Sequence, residues 1–162
     1  EATIAFDAML EQRRHQVDRI QRVFGTGEGW GPTYRFGPKK DLIGTKVSDL
    51  SVIGKRRGLR AEPDRPNSVK QYDPTSPSLH GLLQRGYLEK IPENRVLAVA
   101  VDGVIQAVGW TFKDGLGFGP GFSILLPPES LERGFNQVDI YLLKGGSKVQ
   151  LVHDGSKPLP EE

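Results

Sequence analysis

The sequence has no cysteine in its 162 residues. That removes disulfides, thiolate metal sites and a cysteine nucleophile together. It suits any redox compartment, an oxidising one included. No apolar run approaches the roughly 18 residues that cross a bilayer. No signal-peptide core follows Glu1, and the chain reads as a piece of something longer or as a processed form. Charge is nearly balanced, 22 Lys and Arg against 20 Asp and Glu. So small an excess does not imply a nucleic-acid partner. The one basic concentration, Lys55-Arg56-Arg57-Gly58-Leu59-Arg60, lacks the interleaved aromatics of a single-strand binder and reads as a solvated loop.

Motifs that carry chemistry are also lacking. Gly25-Thr26-Gly27-Glu28-Gly29 follows a helix and leads into Trp30, Tyr34 and Phe36, whereas a phosphate loop follows a strand and opens a helix. His15, His80 and His153 stand far apart, and none has a second ligand at metal-site spacing. No serine sits in a Gly-x-Ser-x-Gly elbow. Asp102, Asp114 and Asp139 read as turn or solvent-face residues. No metal and no cofactor is expected.

What is present is a β pattern. Arg95–Val101, Val104–Phe112, Phe122–Leu126 and Gln137–Leu143 are short runs rich in β-branched and aromatic residues, cut by Gly, Pro, Asp and Asn. Asp102-Gly103 between two of them is a two-residue hairpin signal, because both central positions of a type I′ turn need positive φ. Val96–Val101 is apolar on both faces, so it should be covered on both. Leu79–Glu89 reads as a strand whose glycines imply a bulge or a close backbone approach. Ser68–Tyr72 reads as a further strand, and Arg56–Pro66 as a surface connection. Pro127–Gly134 is a one-turn helix or a wide turn, and Lys144–Ser147 makes a hairpin to Lys148–Val152.

Residues 3–24 read as one helix about 33 Å long. Phe6, Leu10, Val17, Ile20 and Phe24 form its apolar stripe. That stripe docks on the β domain or on a neighbouring domain, and the sequence leaves both readings open. The expected organisation is a helix and connecting segment over 1–66, a β-sandwich over 67–153 and a frayed tail over 154–162.

The residues of the last third resemble a known pattern. Val96-Leu97-Ala98-Val99-Ala100-Val101-Asp102-Gly103-Val104-Ile105-Gln106-Ala107-Val108 is one part of it. Phe122-Ser123-Ile124-Leu125-Leu126-Pro127-Pro128-Glu129-Ser130-Leu131 and Gly134-Phe135-Asn136-Gln137-Val138-Asp139-Ile140-Tyr141 are the others. Together they are similar to the C-terminal extracytoplasmic segment of bacterial membrane-bound sulfatase-like proteins of the alkaline phosphatase superfamily. The resemblance implies an immunoglobulin-like antiparallel β-sandwich preceded by one long amphipathic helix. It implies a location on the extracytoplasmic side of a bacterial membrane and a partner in the parent chain's catalytic domain. The sulfatase nucleophile motif and the metal-binding carboxylates of that family are absent from this sequence, so no catalytic residue carries over.

The expectation is therefore a non-catalytic accessory domain. The alternative is a glycan- or cell-wall-binding module with Trp30, Tyr34, Trp110 and Phe112 as stacking residues, although burial of at least one of Trp110 and Phe112 is the simpler expectation for such a strand. A third reading is a small hydrolase using His80 with Asp73.

Overall fold

The computed structural model describes residues 6–24, 34–35, 37–54, 59–65, 69, 71–75, 82–113 and 120–155. These fall in two compact units, Glu1–Phe36 and Gly37–Glu162. The first contains helix α1, Phe6–Phe24. No Pro or Gly interrupts it, and Arg22 in its last turn complements the helix dipole. Leu10 and Val17 of the apolar stripe are exposed, as is the polar run from Glu11 to Gln16. None of the described helices is long and apolar enough to cross a membrane.

The second unit is mainly β. Its strands are β1 (Ser51–Ile53), β2 (Arg60–Pro63), β3 (Leu83–Glu89), β4 (Val96–Val101), β5 (Val104–Lys113), β6 (Pro120–Leu125), β7 (Val138–Gly145) and β8 (Lys148–His153). They form one eight-stranded sheet in the order β1-β8-β7-β4-β5-β6-β3-β2. Every pairing is antiparallel except β1 with β8. The mainly β class and the single N-terminal helix match the sequence reading. The order is that of one continuous sheet, and it does not by itself establish an immunoglobulin-like sandwich.

β5 joins the two halves. Val104–Trp110 pairs with β4, and Thr111–Lys113 pairs with β6. β2 and β8, far apart in the order, approach each other. Ala61 of β2 and Val152 of β8 share one apolar core with residues of β3, β4, β6 and β7. The sheet therefore folds over on itself and closes around that core.

β4 is covered on both sides, as its sequence requires. Leu97, Val99 and Val101 enter the main core. Ala98 and Ala100 face a second, smaller cluster with Ile105, Val108, Tyr141 and Val149. Leu42, Ile43, Val47 and Leu50 cover that cluster from two 3-10 turns, Lys40–Leu42 and Val47–Asp49. Backbone bonds Gly44 N to Ile105 O (2.7 Å) and Ile105 N to Thr45 O (3.0 Å) hold this cover on the edge of β5. Ala98 and Ala100 are fully buried between strand and cover, where a larger side chain would have to displace its neighbours.

Asp102 and Gly103 have φ of 47° and 79°, as a type I′ turn requires. Opposite the turn, Val99 pairs with Ala107 but Ala100 pairs with Ile105, which leaves Gln106 bulged. The bulge changes the parity, so Ile105 and Val108 face the same cluster. At Gly86 a Cβ would collide with the Glu62 carbonyl, so the close approach read from the glycines of this strand is real. Two expectations need correction. Arg56–Pro66 is not only a connection, since Arg60–Pro63 is β2. Tyr72 makes an isolated bridge with Gly134 and the described residues around it are turns, not a strand. The bridge is reinforced by Asn136, fully buried, whose Nδ2 donates to Val69 O (3.0 Å) and Glu132 O (2.9 Å).

Gln150 on β8 is buried and pairs in register with Leu142 of the main core. Among the described residues its Nε2 finds no hydrogen-bond partner. An unmet buried donor costs about 1–3 kcal/mol. Gln150→Met, of similar length, is expected to raise the unfolding free energy by about 1 kcal/mol. Urea unfolding followed by tryptophan fluorescence measures this, and an unchanged or lower midpoint contradicts it.

Candidate functional site

Two places in the second unit combine unusual residues. The first is the outer face of β3, β5 and β6. Burial along β3 alternates, with Leu83, Arg85, Tyr87 and Glu89 outward and Gln84, Gly86 and Leu88 inward. Cross-strand partners then set the rows. Phe112 lies opposite Gly121, Gly121 opposite Tyr87, and Tyr87 opposite Glu62. In the next row Ser123 faces Arg85, whose guanidinium lies 3.0 Å from Asp64. Leu125 and Leu83 are a direct pair beyond it.

Phe112 and Trp110 are two residues apart on β5, about 7 Å along the strand and on one side. They are 45% and 53% exposed. The expectation that at least one would be buried is therefore corrected. The reason is the neighbouring parity: Thr111 takes the inward position, 1% exposed. Its Oγ1 accepts from Arg95 N (2.8 Å) and donates to Pro92 O (2.9 Å). A threonine with both partners met can occupy the core, and the aromatic rings are left outside. Val108, on the same outer side, lies under the 3-10 cover, and the rings come after that cover ends. The glycine at 121 makes room for a ring, since a Cβ there would lie 3.3 Å from Phe112 Cε2. Tyr87, Leu83 and Leu125 are exposed as well. The result is an open face with apolar side chains on either side of the Arg85–Ser123 row and with Glu62 and Asp64 at its edge. Patches of this kind on a folded domain mark contact sites.

Of the four aromatic candidates, the structure brings Trp110 and Phe112 together. Tyr34 is half-buried in the helical unit, and Trp30 lies outside the described residues. Tyr87, Arg85, Leu83 and Leu125 were missed by sequence reasoning. On β3 the inward set carries Gln84 and Gly86, and the outward set Leu83 and Tyr87, so hydropathy pointed the wrong way.

The second place is Asp139 on β7. It is 6% exposed, which corrects its reading as a solvent-face residue. Oδ2 accepts from Gln137 Nε2 (2.9 Å) and from the Tyr141 hydroxyl (3.5 Å). Oδ1 accepts from Gly155 N (2.8 Å). Tyr141 is itself buried, and its phenol is pushed up to about 12 by burial first, then by the charge and hydrogen bond of Asp139 and the charge of Asp154. Asp102, by contrast, is the turn residue it was read as, and its carboxylate accepts from Gln137 N (3.1 Å). Asp114 lies outside the described residues.

Among the described residues no three His, Asp or Glu side chains gather as metal ligands do. Asp73 is exposed and accepts from the Thr75 hydroxyl (2.7 Å) and backbone N–H (3.0 Å). Those bonds hold its carboxyl below the usual range, with a smaller contribution from Arg133. His80, its partner in the hydrolase reading, lies outside the described residues. Known protein families, curated proteins and solved structures yield no match to this chain.

The Tyr141 shift gives a pH dependence. The phenol is neutral in the folded state beyond its ordinary value of 10, so folding favours the protonated form. That contribution is complete below about pH 10 and is lost as pH rises through about 12. The unfolding midpoint should fall steeply over this window, and Tyr141→Phe should flatten the fall. Equal alkaline slopes for the two proteins in thermal melts would contradict the assignment.

Proposed function

We propose that this chain is a non-catalytic binding module, an accessory domain of a larger sulfatase-like hydrolase on the extracytoplasmic side of a bacterial membrane. It packs on the parent's catalytic domain and positions it, using the outer face of β3, β5 and β6. The observation that carries this reading is the exposed set Trp110, Phe112, Tyr87, Leu83 and Leu125 on one face. Trp, Tyr and Arg are the residues that concentrate binding energy at protein interfaces. The aliphatic pair Leu83–Leu125 suits an apolar protein surface better than a sugar. The resemblance in the last third supplies the identity of the partner.

A second reading keeps the same face but gives it to a glycan. It draws on Trp110 and Phe112, two open rings on one strand, with Arg85 close by as a donor. Stacking of a sugar on such rings requires both to stay uncovered.

The double variant Trp110→Ala, Phe112→Ala should fold normally, because both side chains are exposed. Its affinity for the parent catalytic domain should drop by about thirtyfold or more, since truncating an interface anchor costs roughly 2 kcal/mol. Titration calorimetry reads the difference, and undiminished affinity defeats the interface. Binding of cell-wall oligosaccharides that is lost in the same variant selects the glycan reading. Turnover of aryl sulfates or phosphate esters by this chain with divalent metal would defeat the non-catalytic assignment.

A further inference from the structure

β6 differs from the strands on either side of it. Phe122 and Ile124 enter the main core, so Gly121, Ser123 and Leu125 belong to the outer face. Gly121 and Ser123 are small. The Phe112 ring leans over Gly121, where a Cβ would lie 3.3 Å from its Cε2 and 3.5 Å from its Cζ. Gly121 is buried in consequence, whereas Ser123 stays exposed.

On one side of Ser123 its partner is Arg85 of β3. On the other side stands Trp110. Thr111 pairs with Phe122, and a Cβ on Gly109 would lie 2.7 Å from Ile124 Cγ1, so Trp110 falls beside Ser123 between them. Neighbouring strands are about 4.8 Å apart, which separates Trp110 from Arg85 by roughly 10 Å at the backbone. The Arg85 side chain reaches away from the serine, because its Nε lies 3.0 Å from Asp64 Oδ2 on the β2 side. The result is a notch with a hydroxyl for its floor, an indole on one flank and an ion pair on the other. Phe112 bounds it along β6 at one end and Leu125 at the other.

This lining makes three demands on an occupant. Arg85 and Asp64 together carry no net charge, so neither a cation nor an anion is favoured. A guanidinium only donates and a carboxylate only accepts, so groups that do both are needed within one hydrogen-bond reach. Trp110 offers an apolar ring that wants apolar contact. An amide side chain meets the second demand but has no apolar face for the third. A pyranose meets all three, with C–H groups on its face and hydroxyls at its edge that each donate and accept.

We propose that the Ser123 notch is a subsite for one uncharged pyranose, stacked on Trp110 and hydrogen-bonded by adjacent hydroxyls to Ser123, Arg85 and Asp64. This rests on the glycan reading of the outer face and gives that reading a place and a sugar class.

Heteronuclear NMR of the whole chain tests it, with methyl glucoside, methyl galactoside, N-acetylglucosamine and glucuronate as probes. At least one uncharged sugar should shift the Ser123 and Arg85 amides and the Trp110 indole N–H, with a Kd on the order of 1 mM or weaker, as suits a single open subsite. Ser123→Leu fills the notch from an exposed position and should weaken that binding about tenfold or more. Arg85→Met removes the donors and should weaken it about tenfold. Shifts that Trp110→Ala abolishes but Ser123→Leu and Arg85→Met leave intact overturn the notch and keep the glycan reading. Tighter binding of glucuronate than of methyl glucoside overturns the sugar class. No shift with any of the four at about 50 mM overturns the subsite and the glycan reading together.

Discussion

The fold depends on β4 being buried on both faces at once. Odd residues fill the folded-over core, and even residues fit under a cover of two 3-10 turns. A strand in that position can carry a polar side chain only where its hydrogen bonds are met, and a large one beneath the cover would force its neighbours to shift. Val96-Leu97-Ala98-Val99-Ala100-Val101 satisfies both limits. Its neighbours are fixed in turn: β7 pairs with one edge, β5 with the other, and the Asp102-Gly103 turn sets the register between β4 and β5.

β5 passes through three environments in ten residues. Its start is under the cover, its middle lines the main core, and its end carries Trp110 and Phe112 on an open surface. The bulge at Gln106 and the buried Thr111 are the two devices that arrange this. One flips the parity early in the strand, and the other gives the inward position to a small hydroxyl whose partners are both backbone. The exposed rings are therefore a consequence of how the strand is threaded.

The parts of the fold readable in sequence are those set by local chemistry. The Asp-Gly hairpin, the doubly covered strand and the last two strands follow from turn residues and periodicity. The parts that were not readable depend on partners distant in the chain. Trp110 and Phe112 look like core residues until Thr111 is seen to own the inward position. Asp139 alternates with apolar neighbours as a solvent-facing residue would, and its burial comes from the chain returning at Gly155, sixteen residues later. Arg60–Pro63 carries two charges and a proline, the marks of a connection, yet an edge strand tolerates all three.

The lone parallel pairing, β1 against β8, joins residues nearly a hundred positions apart, as Ser51 does with Lys148. That ladder has a template only once β8 is in place. The loop-closure entropy is met late, after the β7–β8 hairpin exists. During synthesis Ser51–Ile53 leaves the ribosome long before its mate, with the exposed Val52 and Ile53 guarded only by flanking charges such as Asp49 and Lys55. That interval is when this chain is most open to pairing with the wrong strand.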